Sequence, residues 1–106
     1  MPYIKEYQRV IVEDEICRVA NLIKHHTKED PRLSRPGYLN YTITKLLLEV
    51  YGDNLRYADY NEIMGMLTCC MHELYRRGCA PYEDTKILSE GDVYPVKPVV
   101  EPIVKK

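Results

Sequence analysis

The sequence predicts an all-α fold, a three-helix domain with an extended, proline-rich C-terminal arm. Three segments carry apolar residues at helical spacing, glycines and prolines punctuate the gaps between them, and Pro95, Pro98 and Pro102 crowd the end of the chain.

Val12, Ile16, Val19, Ala20 and Ile23 lie on one helical face, which predicts a first helix from about Gln8 to His26. The stretch from Thr27 to Pro36 is charged and contains Pro31, Ser34 and Pro36, so it reads as a connector. Ile43, Leu46, Leu47 and Val50 predict a second helix from about Tyr38 to Tyr51, stopped by Gly52-Asp53-Asn54. Asp59 followed three residues later by Glu62 has the layout of a capping box. Tyr60, Ile63, Met64, Leu67, Met71 and Leu74 then trace the third and longest helix, to Gly78.

Beyond Gly78 the periodicity ends. Ala80-Pro81-Tyr82-Glu83-Asp84 opens a segment expected to hold at most one helical turn, around Lys86 to Ser89. The prolines that follow favour extended or polyproline-like backbone and forbid a helix. The expected organisation is one helical domain over residues 1–94 and an arm over 95–106.

A chain of 106 residues, 45% hydrophobic and 29% charged, lies in the ordinary globular range. At this size roughly two thirds of the unfolded chain's surface can be buried, a modest core that makes a homo-oligomer an expected state. A net charge of −1 argues against general nucleic-acid binding. The start, Met1-Pro2-Tyr3-Ile4-Lys5-Glu6, lacks a signal-peptide core and no run reaches membrane-span length, so a cytoplasmic protein is expected, with no membrane partner. In a reducing compartment Cys17, Cys69, Cys70 and Cys79 are expected as thiols. All ten aromatics are tyrosines, so each aromatic contact brings a hydroxyl that needs a partner when buried.

No constellation announces catalysis. Cys69 and His72 share a helix face but lack a matching second ligand pair, so no metal site is expected. There is no nucleophile elbow, and the glycines at 37, 52, 65, 78 and 91 are too scattered for a phosphate loop. No catalytic residue and no cofactor are expected, and the protein is read as a non-enzyme. Glu73, Arg76 and Arg77 at i, i+3 and i+4 admit two readings: a surface ion pair near a helix C-terminus, or a guanidinium that clamps an anion with Tyr75 or Tyr82 stacked on its base. Gly65 inside a helix costs about 1 kcal/mol against Ala, which points to close helix packing or close approach of a ligand.

Five blocks run in order along the chain: MPYIK at its start, PGYLNYTIT from Pro36, DYNEIMG from Asp59 through ELYRR at Glu73–Arg77, APYED from Ala80, and GDVY from Gly91. In these blocks the chain resembles short, functionally uncharacterised proteins of tailed phages, prophages and some bacteria. The resemblance implies no activity, but it marks polar positions within recurring blocks. Asn40, Tyr41, Thr44, Tyr60, Asn61, Arg76, Arg77, Tyr82 and Asp84 form the expected ligand-binding set, with Glu73, Glu83 and Asp92 in the same blocks. Tyr, Asn, Thr and Arg suit a pocket for a nucleotide phosphate and base. The expected function is a phage-type accessory protein that captures a small nucleotide-like ligand, as a sponge for an immune second messenger. The alternative is a protein-interaction module that binds or inhibits a host protein; a magnesium enzyme using Glu73, Glu83 and Asp84 ranks last.

Overall fold

The structure, a computed structural model, describes residues 3–95. It is all-α. Helices α1 (Glu6–Glu29), α2 (Arg35–Tyr51) and α3 (Tyr57–Leu74) are followed by a π-helical segment (Tyr75–Cys79) and helix α4 (Ala80–Glu90). The arm expected beyond Tyr94 lies, apart from Pro95, outside the described residues. The fold groups into two compact units, one running to Cys69 and the other starting at Cys70.

Helix α1 starts where the Lys5 backbone N–H donates to Gln8 Oε1 at 2.9 Å, so the side chain at the third helical position satisfies a group just outside the helix. It runs past the predicted end to Glu29. Pro31 excludes the helical conformation only at its predecessor, and the Asp30 N–H still reaches the His26 carbonyl at 3.1 Å. Asp30 then grips Arg32 bidentately, at 3.0 Å to Nε and 2.7 Å to Nη2. That side-chain bond, with a further one from the Arg32 backbone N–H, holds the Asp30 carboxyl below its usual range.

Helix α2 begins at Arg35, three residues before the sequence-based start. Ser34 is the cap, its Oγ accepting from the Gly37 N–H at 3.1 Å, and Pro36 falls in the first turn, where a missing N–H costs nothing. The connector thus shrinks to five residues, 30–34. At the other end Gly52 takes a φ of +83°, and its N–H closes on the Leu48 carbonyl at 2.8 Å.

Helix α3 begins at Tyr57, so Asp59 is not the cap. It occupies the third helical position, and its Oδ2 accepts from the Arg56 backbone N–H at 3.1 Å, the reach-back half of a capping box displaced by one turn.

The largest departure from expectation is α4, eleven residues of helix where the sequence predicts one turn. The reason is the π-helical segment. The Ala80 N–H bonds to the Tyr75 carbonyl, five residues back, and this one-residue widening gives the Pro81 ring room that an α-turn denies it. Helical dihedrals therefore persist through Leu74, Cys79 and Ala80.

Among the described residues only Ile23 and Ile63 are buried hydrophobics. The four cysteines stand as thiols. No helix among the described residues is long and apolar enough to cross a membrane.

Candidate functional site

The predicted ligand set divides between the two units. Asn40, Tyr41, Thr44, Tyr60 and Asn61 belong to the first; Arg76, Arg77, Tyr82 and Asp84 belong to the second.

In the first unit, Asn40, Tyr41 and Thr44 sit on one face of α2, where with Pro36 and Gly37 they line an open depression. The Thr44 hydroxyl faces Asn40 Oδ1 at 3.5 Å. Tyr60 and Asn61 are the fourth and fifth residues of α3 and take no part in that lining. The end of α2 to which α3 is tied lies about 15 Å along the helix axis from Tyr41.

The depression continues toward the α1–α2 connector. A second hollow shares Gly37 and Tyr41 with it and adds Arg32, Leu33 and Ser34; a third shares Leu33 and Ser34 and adds Lys24, Thr27, Lys28 and Arg35. Linked only through shared lining residues, the three hollows carry Lys24, Lys28 and Arg35 at one end, Arg32 between, and Asn40, Tyr41 and Thr44 at the other, with Arg35 and Tyr41 about 9 Å of helix rise and a third of a turn apart. Sequence reasoning missed Lys24, Lys28 and Arg35. Lys24 and Lys28 share a face of α1 by their i, i+4 spacing, and Arg35 directly follows the cap, where the helix dipole adds positive character.

In the second unit Arg76 is turned onto Glu73. Its Nη2 donates to the two carboxylate oxygens at 2.9 and 3.2 Å, and Nε adds a bond of 3.2 Å. The Tyr82 ring carries the Lys86 ammonium 5.7 Å from its centroid, so the cation on its face is a lysine rather than a guanidinium. Tyr75 Oη reaches Glu83 at 3.5 Å. Asp84 is exposed on α4. Asp92 Oδ1 accepts from the Tyr94 N–H at 2.9 Å, a local turn. No group of three or more His, Cys, Asp or Glu gathers at metal-binding distance among the described residues.

An apolar groove of about 460 Å³ runs between α1 and α2. On α1 its wall is the row Val12, Ile16, Val19 and Ile23. On α2 the row is Leu39, Ile43, Leu46 and Val50, of which Leu39 and Leu46 line the groove. Only Ile23 is buried; Ile16 and Leu46 are each 60% exposed. The sequence places the α1 row on one helical face, and in this unit that face is open. Tyr41 and Thr44 lie across α2 from this row, so the groove and the Asn40, Tyr41 and Thr44 hollow occupy different faces of that helix.

The family of the Domain of unknown function (DUF6899) matches residues 1–93. The chain belongs to this family. The DUF6899 match takes in every helix described above, both halves of the predicted ligand set and the basic track. No curated protein and no solved structure gives a match to the chain.

Proposed function

We propose that this DUF6899 protein is a non-enzymatic accessory protein that captures a small, anionic, nucleotide-like ligand along the α1–α2 track. One observation carries the reading: three neighbouring hollows, each sharing two lining residues with the next, lead from Lys24, Lys28 and Arg35 to Asn40, Tyr41 and Thr44. Lysine ammoniums and an arginine fork at the start of a helix suit phosphate oxygens, while Tyr41 offers a ring face and Asn40 an amide to a base. Arg76 and Arg77, the cations first expected to hold the phosphate, belong to the other unit, and Arg76 already serves Glu73. In a phage setting such capture would sequester an immune second messenger; the resemblance of the sequence blocks is what supports that setting.

The test is native mass spectrometry of the full chain with a panel of mono-, di- and cyclic nucleotides. The expected result is one ligand class bound at fixed stoichiometry, weakened at least tenfold by Lys28→Ala or Tyr41→Ala and unaffected by Arg76→Ala. Absence of binding across the panel overturns the reading.

A second reading, the protein-interaction module, is favoured by a separate observation. Tyr57, Tyr60 and Met64 form one row on α3 and are 84%, 55% and 63% exposed. Tyrosine and methionine are enriched in interface cores, and so large an exposed row suits a protein partner. A stoichiometric partner that Tyr60→Asp with Met64→Asp abolishes would favour this reading.

A further inference from the structure

We infer that the α1–α2 groove is closed by the same groove of a second copy of this chain, the two helical hairpins meeting about a two-fold axis as a four-helix core. The first support is the spacing of the apolar rows. Val12, Ile16, Val19 and Ile23 step by four, three and four, and Leu39, Ile43, Leu46 and Val50 do the same. Alternating steps of four and three keep each row on one narrow face of its helix, the a/d-type spacing with which helices pack against one another. Each hairpin thus presents two seams of equal length, about 16 Å. Two copies provide four such seams, which is what a bundle core requires.

Area is the second support. Seven of the eight seam residues are between 39% and 70% exposed. A large aliphatic side chain carries on the order of 60–120 Å² of apolar surface, so the seams leave roughly 350 Å² of it open per copy. One side of a standard interface uses about 800 Å², of which about 60% is apolar. The seams alone provide most of that apolar share.

Charge gives the third. Glu15 and Glu49 flank the seams and are each compensated within their own helix, Glu15 by Arg18 at 3.7 Å and Glu49 by Lys45 at 3.0 Å. Glu13, the third acid beside them, shares a small hollow with Arg9 one turn away. With a net charge of −1 per chain, a second copy brings little like-charge repulsion to the axis.

The two readings are told apart by different variants, because Tyr41, which only the ligand reading uses, lies across α2 from the seams. Sedimentation equilibrium of the full chain, from micromolar to hundreds of micromolar, tests it. The wild type is expected as a dimer. Ile16→Ala with Leu46→Ala should raise the dimer dissociation constant at least tenfold while far-UV circular dichroism stays helical, and Val50→Glu, at the most exposed seam position, should do the same without emptying the buried Ile23 site. A monomeric wild type at every concentration, or self-association indifferent to all three substitutions, overturns the inference; so does a groove that is occupied only by a different protein.

Discussion

The Tyr51 hydroxyl donates to Glu62 Oε1 at 3.0 Å, tying the last residue of α2 to the second turn of α3 across the Gly52 break. Neutral tyrosine is the partner the carboxylate needs, so the bond raises the Tyr51 pKa above its ordinary 10.0, with desolvation and the Glu62 and Asp59 charges acting in the same direction. A raised pKa in the fold means that the contact stabilises fully below pH 10 and is lost as pH climbs through the shifted value. Thermal unfolding of the wild type should therefore show a decline above pH 10 that is shallower in Tyr51→Phe. At pH 7 that variant should melt slightly lower. Identical profiles for the two proteins would show that the bond does not couple the helices in solution.

Ser34 and Gly37 form one device. The Ser34 Oγ caps α2 through the Gly37 N–H, and a Cβ on residue 37 would come within 2.7 Å of that oxygen. Ser34→Ala should cost about 1 kcal/mol in chemical denaturation, as loss of an N-cap does. Gly37→Ala should give no net gain. Its improved helix propensity, also about 1 kcal/mol, is offset by displacement of the cap.

Two glycines with equal free space should respond in opposite ways. Gly52 has φ +83° and Gly65 is helical, and nothing lies within 4 Å of a Cβ built at either. With sterics removed from the comparison, backbone conformation decides. Gly52, at φ +83° and ψ 175°, occupies an extended positive-φ region that only glycine adopts readily, so Gly52→Ala should destabilise by about 1–3 kcal/mol, whereas Gly65→Ala should stabilise α3 by about 0.5–1 kcal/mol. Urea titrations of both variants read the signs directly. The open space at Gly65 also answers the expectation of close packing: no neighbour is packed against it in the described structure.

The three long helices were legible because their apolar residues recur at fixed spacing and because Pro31 and Gly52 stop helices for local reasons. Their starts were less so: Ser34 and Asp59 act from opposite ends of the capping geometry, and sequence order alone does not reveal which. The polar track was half legible. Asn40, Tyr41 and Thr44 stand close together in sequence, but Lys24 and Lys28 join them only because a five-residue connector folds α2 back beside the end of α1. The α1 row was legible as an apolar helix face, but not as an open one, since periodicity marks a face for burial without saying against what.

Pro81 belongs to a segment expected to begin non-helical after Gly78, and it sits instead in the first turn of α4 behind the π-helical segment. A proline in an α-turn removes the bond to the carbonyl four residues back and sets its ring against that carbonyl, here Arg77. Widening the preceding turn by one residue relieves the clash, at the cost of the poorer geometry of the Ala80 to Tyr75 bond. If the proline is the cause, Pro81→Ala should let the segment revert to α-helix. The new N–H at 81 would bond to Arg77, and the Ala80 N–H would move from Tyr75 to Arg76. Restoring a regular turn adds a backbone hydrogen bond at residue 81 and replaces the poorer wide-turn bond, a gain of about 1–2 kcal/mol, reduced by about 0.4–1 kcal/mol because the unfolded chain gains freedom. A net stabilisation of up to about 1 kcal/mol is expected in urea titration, with slower amide exchange over residues 76–81. An unchanged exchange pattern would mean that Gly78 or the side chains of this segment, rather than the proline ring, hold the wide turn open.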